Sequence, residues 1–100
     1  FEGKGFLIKE LFVKSKGILS LQKHHHRSEH WLVTQGTPKI TLNKDSFFKK
    51  QNDHIFVPLE AIHRIENPSN KSVKIIEAQV GLILKETDII RYHDAYGRIK

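Results

Sequence analysis

Three consecutive histidines, His24, His25 and His26, are followed at short range by Glu29, His30 and Trp31. Imidazole and carboxylate groups at this density suit a divalent cation such as zinc, manganese, iron or cobalt, and an amide oxygen can complete the set. Cysteine is absent, so thiolate sites and disulfides are excluded. In an extended chain, alternation sends Gln22, His24 and His26 to one face and Lys23 and His25 to the other. Glu29 shares its face with Trp31 and Val33. Two adjacent antiparallel strands would therefore aim Gln22, His24 and Glu29 at one point. The competing readings are a surface cluster with no ligand role and an affinity tag. A tag is normally terminal and longer, whereas this run lies between two β-prone segments.

The elements that would position these groups are short and β-like. Phe6 to Val13, Ile18 to His24, Glu29 to Thr34, Lys39 to Leu42, Ser46 to Lys49, His54 to Val57, His63 to Glu66 and Val73 to Leu84 are the expected strands. Turn signals separate them, among them Lys14-Ser15-Lys16-Gly17, Asn43-Lys44-Asp45, Gln51-Asn52-Asp53 and Asn67-Pro68-Ser69-Asn70. Such spacing predicts an all-β barrel or sandwich rather than βαβ units. The polar stretch 85–100 reads as a short helix or an ordered tail. One hundred residues suffice for one domain, spanning 1–100.

The formal net charge is +6. An excess of this size suits nucleic acid, a membrane surface or an anionic small molecule. Lys9, Lys14, Lys16, Lys23, Lys39, Lys44, Lys49 and Lys50 are scattered along the chain, and many fall on the polar phase of the alternation. They read as a solvated surface, and the aromatics Phe6, Phe12 and Phe56 read as buried, which argues against nucleic acid as a partner. No apolar run approaches the ~18–20 residues a spanning helix requires, so no membrane partner is expected. The first residues lack the charged-then-apolar order of a secretory signal, and the absence of an initial Met reads as a piece of a longer chain. Without cysteine, a reducing cytoplasm is the expected location.

The histidine cluster and a later segment together resemble the cupins. Cupins carry two motifs, G-x5-H-x-H-x3–4-E-x6-G and G-x5-P-x-G-x2-H-x3-N. Glu29 and Gly36 fit the end of the first, with Gln22 in place of its first histidine and His24 as its second. Asn52, Pro58, Glu60, His63 and Asn67 keep the spacing of the second, with Asn52 and Glu60 standing where glycine is usual. Asn tolerates the left-handed geometry that glycine normally supplies. The match narrows further. Leu19 to Trp31 resembles the L-S-x-Q-x-H-x-x-R-x-E-H-W signature of type II mannose-6-phosphate isomerases. Ile76 to Gly81 is similar to that family's I-E-V-Q-x-G, and Asp88 to Arg98 to its D-I-V-R-x-x-D-x-Y-G-R ending.

The resemblance implies a jelly-roll β-barrel that interconverts mannose 6-phosphate and fructose 6-phosphate, supplying mannose phosphates for GDP-mannose and polysaccharide synthesis. It implies Gln22, His24, Glu29 and His63 as ligands of a divalent metal, with zinc expected ahead of manganese, cobalt or iron. In the implied reaction a base removes the C2 proton and a proton returns at C1, with the cation as Lewis acid. Glu77 is a candidate proton carrier, because alternation places it with Val73, Ile75 and Gln79; a solvent-facing or structurally paired Glu is the alternative. His26, on the metal-facing phase, is a second shuttle candidate or a fifth ligand. Arg91 and Arg98, inside the family-like ending, are candidates for the hexose 6-phosphate, with Arg27 and Arg64 behind them. Trp31 is read as core in preference to a sugar-stacking platform. An upstream nucleotidyltransferase domain and a homodimer paired through edge strands are further expectations. A non-catalytic cupin that binds metal or sugar is the alternative function, because the fold hosts many activities.

Overall fold

Phe6 to Val13 illustrates how the chain builds its layers. Its even and odd residues separate into two faces, and Leu11 and Val13 turn toward the core while Glu10 and Phe12 turn to solvent. A computed structural model describes residues 2–81 together with 90 and 91. The strands are β1 (Glu2–Gly3), β2 (Phe6–Val13), β3 (Gln22–Lys23), β4 (Arg27–Gln35), β5 (Lys39–Leu42), β6 (Asp45–Phe48), β7 (His54–Val57), β8 (His63–Glu66), β9 (Val73–Gly81) and β10 (Ile90–Arg91). They form two antiparallel sheets, ordered β1-β2-β9-β4-β7 and β10-β3-β8-β5-β6. This is the expected all-β architecture, and among the described residues no helix is long and apolar enough to cross a membrane.

Trp31, Val33, Ile55, Val57, Val73 and Ile75 from one sheet pack against Ile40 and Ile65 of the other. Burial alternates strictly along β9, whose Val73, Ile75, Glu77 and Gln79 all face inward. The core is thus apolar at one end and carries acid and amide groups at the other.

Four strand expectations need correction, the simplest being Ser46 to Lys49, which forms as Asp45–Phe48. Ile18 to His24 forms only the short β3, with Ile18 making an isolated bridge to Glu66. Strand β4 starts at Arg27 rather than Glu29. Most important, β3 and β4 are not paired neighbours: they lie in opposite sheets, and residues 24–26 cross between them. Beyond Gly81 only the backbone of Ile90–Arg91 is described, pairing as a strand with Lys23 and Gln22. The rest of the expected tail or helix lies outside the described residues.

Two turn positions explain the altered cupin motif. Asn52 and Glu60, the substitutes for glycine, have φ of 78° and 69°. The left-handed backbone is therefore kept without glycine. For Asn52 the strain is small. For Glu60 it is offset by fixed partners: its N–H donates to the His24 carbonyl (2.9 Å), and its carboxylate meets His25 Nδ1 (2.8 Å) and Lys23 Nζ (3.4 Å). These contacts clip the sheet-to-sheet crossover onto the turn before β8.

Asn67 closes the opposite side of the barrel. It is buried, and its Nδ2 donates to the carbonyls of Val13, Lys14 and Lys71 at 3.0, 3.1 and 2.7 Å. Its Oδ1 accepts from the Ser69 N–H and hydroxyl. Asn67→Ala removes the amide donor from the buried Val13 carbonyl and from the Lys14 and Lys71 carbonyls, and leaves Ser69 without its acceptor, so a loss of about 2–3 kcal/mol is expected in urea unfolding. A loss below about 0.5 kcal/mol would show that water replaces the amide at no cost.

Candidate metal centre

Glu29 is the middle of an inward-facing row on β4 formed by Arg27, Glu29, Trp31 and Val33. The residue is 1 % exposed. Trp31 Nε1 donates to its Oε1 at 2.8 Å, and Arg27 Nε donates to its Oε2 at 3.2 Å. Both partners are two residues away on the same strand, which is the spacing that alternation places on one face. His24 reaches the same carboxylate from the crossover, with Nε2 3.1 Å from Oε2. His63, from β8 of the opposite sheet, lies with Nε2 4.0 Å from Oε1.

His24, Glu29 and His63 each offer a ligand atom within 4.8 Å of the others, and all three are buried. Ligands of one zinc at 2.0–2.1 Å are about 3–3.5 Å apart, so small side-chain adjustments bring these donors onto one ion. The donor chemistry fits as well. His63 Nδ1 donates to the Ala61 carbonyl at 3.1 Å, which leaves Nε2 as the acceptor facing the cluster. Burial holds the His63 imidazole below its usual pKa, against the pull of Glu29, and so favours the neutral form a cation requires. Gln22 pairs with His63 across β3 and β8 and lines the same cavity. Its Nε2 donates to Ser20 Oγ at 3.0 Å, so its amide oxygen is the atom left for a cation.

That cavity has a volume of about 140 Å³. Its polar walls include Lys9, Gln22, Arg27, His63, Arg64 and Glu77. Glu77, on β9 opposite Trp31, is 5 % exposed and hydrogen-bonds Glu29 side chain to side chain. Burial, reinforced by the Glu29 charge, pushes Glu77 up to about 7. Burial alone would raise Glu29 too, but its contacts with His24 and Glu77 and the facing histidines outweigh it and hold Glu29 well below the ordinary carboxylate range. One environment therefore pushes two carboxyl groups in opposite directions, Glu29 down and Glu77 up. Gln79 Nε2 donates to Glu77 Oε1 at 2.6 Å, and Lys9 Nζ lies 3.7 Å from that oxygen.

Several sequence expectations change here. His26 is exposed and stacks edge-on against His25; the bend at 25–26 ends the alternation that would have turned it inward. It therefore lies outside the buried group formed by His24, Glu29 and His63. Lys9 is not purely a surface lysine, because it shares the inward phase of Leu11 and Val13. Trp31 belongs to the core, yet it also orients Glu29 and packs edge-on 5.4 Å from the His63 ring. Arg27, placed behind other arginines by sequence, contacts two ligand residues; its shared phase with Glu29 and Trp31 was the available signal. The Arg91 backbone pairs with Gln22, while its side chain and the whole of Arg98 lie outside the described residues.

Two antiparallel sheets enclosing a buried pair of histidines and a carboxylate define a cupin. A double-stranded β-helix protein from Klebsiella pneumoniae superimposes with a TM-score of 0.81 at 10% identity, covering 94% of this chain and 80% of that one. The Schizosaccharomyces pombe Cnp3 cupin domain does so with 0.77 at 17% identity, covering 82% and 60%. The chain belongs to the family described as mannose-6-phosphate isomerase C-terminal, whose model matches residues 1–94. It is 43% identical over 96 residues to the alginate biosynthesis protein AlgA of Pseudomonas fluorescens, covering 96% of this chain and 20% of that protein. It is 41% identical over 97 residues to mannose-1-phosphate guanylyltransferase of Escherichia coli K12, covering 97% and 20%. The chain thus spans about a fifth of the length of these curated relatives.

The raised Glu77 pKa has a measurable consequence for stability. Between about 4.5, its ordinary value, and about 7, the folded state holds a proton that the unfolded state has released. Stability from this group is therefore full at low pH and falls as pH rises through 7. In chelator, Glu77→Gln should gain on the wild type between pH 5 and pH 8, by roughly 1–3 kcal/mol. A stability difference independent of pH would mean that Glu77 is already ionised at pH 5.

Proposed function

We propose that this chain is a single metal-dependent aldose–ketose isomerase domain interconverting mannose 6-phosphate and fructose 6-phosphate. It would supply mannose phosphates for GDP-mannose and polysaccharide synthesis. The observation that carries the reading is the placement of Glu77, a proton-bearing carboxyl, on the wall of the cavity that His63 of the His24–Glu29–His63 cluster also lines.

An aldose-to-ketose conversion requires loss of the C2 proton and return of a proton to C1. Glu77 suits the transfer because a group titrating near 7 both accepts and releases a proton at neutral pH. The Gln79 N–H on Oε1 fixes the orientation of that carboxyl, and Lys9 lies on its solvent side. His24, Glu29 and His63, with the Gln22 amide oxygen, would hold a divalent metal, zinc first, whose bound form supplies Lewis-acid polarisation of the sugar carbonyl. A hexose 6-phosphate needs fixed cations. Lys9 and Arg64 on the cavity wall support its binding, and Arg91 and Arg98 are proposed to join them. A cytoplasmic location is proposed with it, where sugar phosphates would be available. An upstream nucleotidyltransferase domain is consistent with coverage of only a fifth of the relatives, and a homodimer is proposed as the assembly.

The test is isomerisation by metal-stripped protein resupplied with zinc, manganese or cobalt. Turnover should return with metal and fall at least 100-fold in His24→Ala, His63→Ala and Glu77→Gln. In the wild type kcat/KM should rise with pH through about 7, because the base form of Glu77 is the deprotonated one. Tight metal binding without turnover would instead identify a binding cupin.

A further inference from the structure

Arg27 is buried as deeply as the ligand residues beside it, at 4 % exposure against 3 % for His24 and 4 % for His63. Its Nη2 donates to His24 Nε2 at 3.0 Å, and its Nε donates to Glu29 Oε2 at 3.2 Å. A guanidinium has donors only, so the His24 nitrogen must present its lone pair to Arg27. Glu29 Oε2 is also an acceptor, and it lies 3.1 Å from that nitrogen. Two acceptors this close, both withdrawn from water, need positive charge against them. Arg27 provides it through the same two atoms that a divalent ion would use. Nε2 has one lone pair and cannot serve both cations.

We propose that Arg27 is the resident cation of the cluster and exchanges with the divalent ion. It keeps His24 and Glu29 converged until the ion arrives, and leaves Nε2 when the ion binds. The inference rests on reading the triad as a metal centre. Space for the movement is present, because Arg27 forms part of the wall of the 140 Å³ cavity. The guanidinium can turn into that cavity without disturbing β4, whose backbone pairing with β9 includes Arg27 opposite Gly81. Such an exchange couples two equilibria: whatever removes Arg27 from His24 favours the ion, and the ion favours a guanidinium facing the cavity.

Two measurements test it. In ¹⁵N-labelled wild type with chelator, the Arg27 Nε–H should give a resolved, slowly exchanging resonance, as expected for a buried donor on a carboxylate. Saturation with zinc, which is diamagnetic, should shift it or speed its exchange. In parallel, zinc affinity is measured by competition with a chromophoric chelator. Arg27→Met, which keeps the aliphatic stem, should bind zinc at least tenfold more tightly than wild type. Arg27→Lys, with one charge and no fork, should fall between the two. An Arg27 resonance unchanged at zinc saturation overturns the exchange while leaving the metal centre and the isomerase reading intact. A folded Arg27→Met variant with equal or weaker zinc affinity overturns it as well, and where that variant does not fold, the wild-type resonance decides. Zinc bound by neither wild type nor Arg27→Met removes the metal centre itself, and this proposal with it.

Discussion

The Glu29 carboxylate is a charge held in the barrel interior, and the surrounding structure is arranged around the cost of keeping it there. Removing a carboxylate from water costs several kcal/mol unless donors and opposite charge replace the lost hydration. Glu29 receives the Trp31 indole N–H on one oxygen and Arg27 on the other, with His24 within 3.1 Å. Two of these partners come from its own strand at i±2, so β4 satisfies much of the charge locally. That is why a single strand can carry an ionised group into a core made otherwise of Val, Ile and Trp side chains.

The histidines come from elsewhere, and the two-sheet construction makes this possible. His63 stands on β8 across from Glu29, while His24 lies where the chain passes from one sheet to the other. A crossover is less constrained than a strand, so it needs its own restraints. The bond from the Glu60 N–H to the His24 carbonyl and the Glu60 contacts with His25 and Lys23 provide them. The left-handed backbone at Glu60 is thus a consequence of the site. It allows the turn before His63 to meet the loop that carries His24, and its side chain secures the meeting.

Glu77 acquires its character from the same carboxylate. Its strand partner across the sheet is Trp31, and its side chain hydrogen-bonds Glu29. Two adjacent carboxyl groups cannot both ionise cheaply, and Glu29 is the one that holds the donors. Glu77 therefore keeps a proton to about neutral pH and faces the cavity that His63 and Gln22 also line. A group that stabilises the ionised form of one acid thereby makes the other an acid near pH 7.

The sequence by itself determined the β architecture, because period-two alternation and turn residues are local signals. Phe6 to Val13, Lys39 to Leu42, His54 to Val57 and His63 to Glu66 were legible to the residue. Motif spacing marked Asn52 and Glu60 as glycine-like positions, and alternation on β9 turned Glu77 inward. Alternation failed where the strand failed: the bend at 25–26 sends His26 to solvent, and the short β3 hands over to a crossover rather than to a paired neighbour. Only tertiary structure decided that Arg27 is buried against His24 and Glu29, and that Lys9 meets Glu77. Strand phase sets the face a charged residue takes but not the partners it meets there. The environment of such a residue is made by groups from two sheets and a loop, and these come together only when the barrel closes.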